Sequence, residues 1–241
     1  MNTVFISDLH LHPSKPDVAD YFLRYLQVIS AKTQSLYILG DLFDAWIGDD
    51  YKNEFSDHII RALAAFSSSG KQLFLMHGNR DFLLGEQFCR TTGATLLTDP
   101  CVIDLHGEQV LLMHGDSLCV EDTAYQKFRK MVRDPVWQSE LLARPVEERL
   151  QIAQGYRNDS RLKNQEKSED IMDVTASEVQ RIMSVYDVRL LIHGHTHRPN
   201  RHAFNIEGEP AERIVLGDWD NFGWALTCSN TDKQLAKFGV S

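Results

Sequence analysis

The chain has little positive charge, little cysteine and no long apolar run. Its 241 residues include 25 Lys and Arg against 34 Asp and Glu, a net charge of −9. A protein held to nucleic acid mainly by phosphate contacts carries the opposite balance, so no nucleic-acid partner is expected. Four cysteines occur, Cys89, Cys101, Cys119 and Cys228, and none stands in a C-x-x-C pair. A chain of this length does not need disulfides, so buried thiols in a reducing compartment are expected. No apolar run is long enough to span a bilayer. A candidate ligand already stands at position 8, directly after a strand-like run, so no leader peptide is expected. Repeats are absent, and low complexity is confined to Ser67-Ser68-Ser69. These absences leave a cytoplasmic globular protein. Its 43% apolar content suffices for a sizeable core, in one large domain or two small ones.

What is present is a set of five short polar motifs in order. They are Asp8-Leu9-His10, Gly40-Asp41, Gly78-Asn79-Arg80-Asp81, His114-Gly115-Asp116 and Gly194-His195-Thr196-His197. Each comes after an apolar run that reads as a buried strand: Val4 to Ile6, Leu36 to Leu39, Leu73 to Met76, Val110 to Met113, and Leu190 to Ile192. Polar residues that recur just past the C-terminal ends of strands converge on one crevice. Singly the motifs are weak, since a Gly-Asp or His-Gly-Asp is ordinarily a turn. Jointly they point to an enzyme.

Strand and helix patterns alternate through the first half, as in an α/β fold. Helical spacing predicts helices over Val18 to Ala31, His58 to Ser68, Phe82 to Thr92 and Ile171 to Tyr186. Strands are expected at Val102 to Leu105, Gln109 to Met113, Ala203 to Ile206, Arg213 to Leu216, Gly223 to Cys228 and Gln234 to Phe238. From Asp122 to Lys167 strand signals vanish. Thr123 to Lys167 holds ten Lys and Arg against six Asp and Glu, a net +4 in an acidic chain. We read residues 122–167 as a helical insertion in an α/β core.

Asp, His and Asn are the ligand types expected for two divalent ions, Mn²⁺ or Mg²⁺, with Mn²⁺ the expected pair. A carboxylate is needed as a bridge, and Asp41 is the natural one. Asp8, His10 and His197 would complete one site, and Asn79, His114 and His195 the other. Two such ions side by side clamp a phosphoryl group and activate water. They also let an acidic protein accept a phosphorylated ligand.

The joint set resembles the signature of the calcineurin-like metallophosphoesterases: D-x-H, G-D, G-N-H-(D/E), H and G-H-x-H. The resemblance implies one domain over residues 1–241. Its expected form is a four-layer αββα sandwich of two mixed sheets with the di-metal site at one edge. Asp41, Asn79, Arg80 and His114 are then the expected catalytic residues. One departure is Arg80, which stands where most of the family has His. Arg cannot deliver a proton near neutral pH, but it can grip phosphate oxygens bidentately. The leaving group should therefore be a good one, such as a phosphate.

A narrower resemblance rests on residues 40–50 (GDLFDAWIGDD), 78–85 (GNRDFLLG) and 114–119 (HGDSLC), and on the insertion and Ile171-Met172-Asp173-Val174. These are similar to the branch of the family that hydrolyses the pyrophosphate of UDP-2,3-diacylglucosamine in lipid A biosynthesis. That branch implies release of UMP and 2,3-diacylglucosamine 1-phosphate. It implies a UDP-linked diacylated glucosamine as partner, attachment to the cytoplasmic face of the inner membrane, and no protein partner. It carries substrate contacts onto Asn79, Arg80, Asp122, Ser160, Asn164, Lys167 and His195. Arg157, Ser160, Asn164 and Lys167 also recur at helical spacing and would share one face of a phosphate- and sugar-binding wall.

Apolar residues beside the motifs need a role. Tyr125, Phe128, Met131, Val132 and Trp137 recur at near-helical spacing. Trp46, Ile47, Phe82 and Leu83 directly follow metal motifs and are poor candidates for deep core. Some pack the insertion on the core; the others could line an acyl-chain channel, where each buried CH₂ contributes ~0.8 kcal/mol. His12 and His193 are expected beside the ligands or in the core, and His58, His77, His106 and His202 elsewhere. Asp81 and Asp116 are expected to orient ligands. Asp44, Asp49 and Asp50 read as a solvated loop, and Asp218 and Asp220 receive no role. Rival readings are a metallophosphoesterase of soluble nucleotides or phosphoproteins, and a non-catalytic scaffold.

Overall fold

The computed structural model describes residues 2–166 and 173–239, with side chains left aside from 159 to 166. In chain order the first elements are β1 (Asn2–Ile6), α1 (Pro16–Ser30), β2 (Thr33–Leu39), α2 (Glu54–Ser68), β3 (Gln72–Met76), α3 (Glu86–Thr92) and β4 (Ala94–Leu97). Then come β5 (Cys101–Leu105), β6 (Glu108–Met113), a short 3₁₀ turn (Asp116–Leu118), α4 (Thr123–Val132), α5 (Pro135–Leu142), α6 (Val146–Glu166) and α7 (Ala176–Val185). The chain returns to strands with β7 (Leu190–His193), β8 (Asn200–Ile206), β9 (Glu209–Val215), β10 (Phe222–Cys228) and β11 (Lys233–Gly239).

The strands form two mixed sheets, ordered β11-β10-β1-β2-β3-β4 and β5-β6-β7-β9-β8. Successive strand side chains point to opposite faces, and the apolar runs use both. In β2, Leu36 and Ile38 meet the helices α1 and α2, while Tyr37 and Leu39 face the second sheet. In β6, Val110 and Leu112 face the first sheet, while Leu111 and Met113 meet α7 through Val179 and Met183. Three apolar layers therefore separate helices, sheet, sheet and helix, the expected αββα order. The parallel strands β1, β2 and β3 lie side by side, as do β6 and β7. The C-terminal ends of these five strands bring all five motif loops to one edge of the sandwich.

Two predicted boundaries move. The helix expected from Phe82 begins at Glu86. Asp81 to Leu84 is a turn closed by the Leu84 amide on the Asp81 carbonyl at 3.0 Å, and Asp49 accepts the Gly85 and Phe88 amides at 3.0 and 2.8 Å. A carboxylate from another loop thus satisfies donors that the first helical turn leaves open. The helix expected from Ile171 is α7, which starts at Ala176; Ile171 and Met172 lie outside the described residues. Residues 122–166 hold three helices, α4 to α6, as the loss of strand signals predicts.

Candidate metal centre and cavity

The backbone itself is shaped for this site. Asp8, His10, Asp41, His195 and His197 all have positive φ, between 48° and 69°. Non-glycine residues rarely adopt that region. Two glycines are required where the loops meet. A Cβ on Gly78 would overlap Asp41 Oδ1, and one on Gly194 would overlap Asp8 Oδ2.

All seven candidate ligands converge. His10 Nε2 lies 3.3 Å from His197 Nε2, and His197 Nε2 lies 3.4 Å from Asp8 Oδ1. On the other side, Asn79 Oδ1 is 3.0 Å from His114 Nε2 and 2.9 Å from His195 Nδ1. Asp41 Oδ2 lies between the two groups, 3.8 Å from His10 Nε2 and 3.9 Å from His114 Nε2. Asp8, His10 and His197 are close enough to share one ion, and so are Asp8, Asp41 and His114. Asp8 therefore reaches both groups, which the sequence reading gave to Asp41 alone.

The donor set fits cations. His114 donates its Nδ1 proton to the Leu39 carbonyl at 2.9 Å, and its Nε2 meets the Asn79 oxygen at 3.0 Å; burial opposes a charge on this ring, but Asp41 and Asp116 lift it to about 9. A proton on that Nε2, donated to Asn79, takes the place a bound positive ion would hold. Asp8 Oδ1 is buried with only the 3.4 Å approach of His197 Nε2 to meet it. Burial, with Asp81 and Asp8 nearby, pushes Asp41 up to about 7 although His114 opposes it. Burial also lowers His10 and His195 to about 4, keeping both imidazoles neutral. Burial opposes the charge on His197 too, but Asp218 and Asp8 lift it to about 10. A cation supplies the neutralising charge that protons otherwise provide.

The neighbours of the ligands differ in part from expectation. Asp81 accepts the amides of Asp41, Leu42 and Gly78 at 3.2, 2.8 and 2.9 Å, so it orients Asp41 through its backbone and ties two ligand loops together. Asp116 accepts from the Tyr125 hydroxyl at 2.6 Å and Arg129 Nε at 2.9 Å. Asp218, given no role from sequence, lies 3.5 Å from His197 Nδ1. Its signal was present: Ile214-Val215-Leu216-Gly217-Asp218 repeats the apolar-run-then-Gly-Asp pattern of Asp41. The expected solvated loop is instead a clamp. Asp44 pairs with Arg157 at 2.5 Å, Asp49 accepts Trp46 Nε1 at 2.9 Å, and Asp50 pairs with the buried Arg149. His12 is also displaced from expectation: it bonds Ser14 at the surface.

A cavity of about 470 Å³ opens from the ligands. Its polar end is formed by His10, Asp41, Asn79, Arg80, His195 and His197. Its apolar end is formed by Trp46, Phe82, Phe128, Trp137, Leu141, Ile152 and Tyr156, largely from α4 to α6. Trp46, Ile47 and Leu83 are buried as well as cavity-lining. They are both core and wall, because the helical segment covers them. Asp122 lines the cavity and caps α4 by accepting the Tyr125 amide at 3.0 Å. Arg157 lines it too. The side chains of Ser160 and Asn164, and all of Lys167, lie outside the described residues.

The model of the calcineurin-like phosphoesterase family matches residues 1–199. A UDP-2,3-diacylglucosamine hydrolase of Cellvibrio japonicus is 51% identical over 240 residues, covering 100% of both chains. One from Chromohalobacter salexigens is 53% identical over 227 residues, 94% of this chain and 92% of that one. Among solved structures, an archaeal phosphodiesterase overlays with a TM-score of 0.49 at 10% identity, over 99% of each chain. With the motif loops gathered at one sheet edge and relatives matched end to end, the chain belongs to the calcineurin-like phosphoesterases, in the branch of the UDP-2,3-diacylglucosamine hydrolases.

Proposed function

We propose that the chain hydrolyses the pyrophosphate of UDP-2,3-diacylglucosamine, giving UMP and 2,3-diacylglucosamine 1-phosphate, with two Mn²⁺ ions bound by Asp8, His10, Asp41, Asn79, His114, His195 and His197. The observation that carries this reading is the two-ended cavity. Lining that holds the candidate ligands and Arg80 and lining that is aromatic and aliphatic meet in one space, as a ligand with a charged head and acyl chains requires. Relatives of that name at about half identity over the whole chain support it.

Bound divalent ions supply Lewis acidity and a nucleophile from water at neutral pH. The protein's own groups do the rest. Asp41 and Asn79 hold the two halves of the site in register, and the Nε2 of His114 faces the shared space. Arg80 lines the cavity beside them and grips phosphate oxygens as charge grows on them. Asp122, Arg157, Ser160, Asn164 and Lys167 bind the sugar and phosphates, with 122–167 acting as a cap within the single domain 1–241. The apolar wall takes acyl carbons at ~0.8 kcal/mol per CH₂.

The enzyme works at the cytoplasmic face of the inner membrane. No helix among the described residues is long and apolar enough to cross a bilayer. The cap does expose Val136, Leu142 and Leu150 within the basic segment. Such a face suits an anionic bilayer surface, and salt-dependent sedimentation with anionic vesicles measures that attachment.

The decisive assay compares diacylated with deacylated UDP-glucosamine. Turnover of the diacylated form should far exceed that of the deacylated form, and Asp41→Ala should abolish it while the circular dichroism spectrum is retained. Equal rates on both substrates would favour a phosphodiesterase of soluble nucleotides. Near-wild-type activity of Asp41→Ala would refute the bridging role.

A further inference from the structure

The two halves of the metal centre are held by different sets of contacts. Asp8 and His197 receive their hydrogen bonds and ion pairs from the sandwich itself. The Ser7 hydroxyl donates to Asp8 at 2.5 Å, the His195 amide at 2.9 Å, and Asp218 faces His197 at 3.5 Å. The other half is held from the sandwich through the Leu39 carbonyl on His114 and, in addition, from the cap. Helix α4 and its C-cap residue Arg133 reach each of the three loops that carry Asn79, His114 and His195. Arg133 Nη2 donates to the Gly78 carbonyl at 2.9 Å, one residue before Asn79. The Tyr125 ring stacks on the His195 ring, with centroids 5.9 Å apart and planes 29° apart. Its hydroxyl donates to Asp116 at 2.6 Å.

Arg129 is the centre of this brace. Its Nε donates to Asp116 Oδ2 at 2.9 Å and its Nη2 to Asp99 Oδ2 at 3.1 Å. Asp99 in turn accepts the His114 amide at 3.4 Å, and Asp116 lies two residues beyond His114. One guanidinium therefore joins two buried carboxylates on either side of a single candidate ligand. Without it, two negative charges are left buried without their counter-ion, and the His114 loop loses its anchor. Groups that steady metal ligands in this way typically govern metal affinity by ~10–100-fold when removed.

We infer that Arg129 is a positioning residue, and that α4 steadies one ion of the pair, at Asn79, His114 and His195, more than the ion at Asp8, His10 and His197. The inference rests on the two-ion reading above. It makes the cap part of the metal centre as well as of the lipid wall.

Mn²⁺ titration of purified protein, followed by electron paramagnetic resonance of unbound Mn²⁺ and by calorimetry, tests it. Wild type should take up two ions per chain. Arg129→Gln should keep one with wild-type affinity and bind the second ~10–100-fold more weakly. Arg129→Lys retains the charge but lacks the fork that reaches both carboxylates, so it should fall between the two. Lys130→Ala, an equal loss of charge at an exposed position on the same helix, should bind both ions as wild type does. Should Arg129→Gln not fold, Tyr125→Phe, which removes one hydroxyl, should show the same split in the same direction. Wild-type affinity for both ions in Arg129→Gln, or equal weakening of both, would overturn the inference. Fewer than two ions in wild type would instead overturn the two-ion reading itself.

Discussion

At the scale of single residues, the site is built from conformations that most residues avoid. Positive φ at Asp8, His10, Asp41, His195 and His197 costs on the order of 1–3 kcal/mol each. Such strain persists where the surroundings over-determine it, and here they do. Asp41 is held by the Arg80 amide on its carboxylate at 2.8 Å and by Asp81 on its own amide at 3.2 Å. Gly78 leaves the space into which the Asp41 carboxylate fits. Gly78→Ala should therefore displace Asp41 and lower turnover by about 100-fold, the scale of a 1 Å misplacement. Steady-state kinetics checks it, and an unchanged rate would show that the loop can give way. Thiol chemistry gives a second prediction. Burial pushes Cys119 and Cys228 up to about 12. Since a raised pKa withholds the thiolate, neither should be alkylated by iodoacetamide at pH 8 in the native state, whereas all four cysteines should react in urea. Mass spectrometry of the labelled chain reads the difference.

At the scale of elements, the loop after Asp41 does more than carry ligands. Asp49 accepts from the Trp46 indole and from the Gly85 and Phe88 amides. It joins the cavity wall to the start of α3. Asp49→Ala should cost about 3 kcal/mol, since several donors lose a charged acceptor at once. A urea melt with unchanged slope would measure it, and a loss below 1 kcal/mol would mean that water replaces the carboxylate. This clamp is also why the start of α3 was illegible from sequence. Helical periodicity from Phe82 is real, but a distant carboxylate decides where the helix begins. The strand β4 escaped for a different reason. Ala94 to Leu97 is short, half-exposed and without alternation, and it lies at the edge of its sheet. Central strands such as β2 and β6 were legible because burial on both faces demands continuous apolar runs.

At the scale of the whole molecule, metal binding and stability are linked. The candidate ligands come from strand ends in both sheets, so ions bound there join the two layers. An ion present at 100 times its Kd stabilises the folded state by ~2.7 kcal/mol. For a chain of this size each kcal/mol moves Tm by roughly 2–4 °C. Chelation with EDTA should thus lower Tm by about 5–10 °C per ion lost, and Mn²⁺ should restore it. Differential scanning calorimetry measures both, and an unmoved Tm would mean that the cluster holds no ion in the folded protein.

The family, the layered sandwich and the seven converging candidate ligands were readable from residue order. A metal site at strand ends needs particular side chains at particular offsets, and those offsets are local. Asp44, Asp49, Asp50 and Asp218 were not legible in the same way. A carboxylate looks alike in sequence whether it meets solvent, an amide or an arginine 99 residues away, as Asp50 does with Arg149. The partner of such a group is set by which surfaces pack together, and packing is a property of the folded chain.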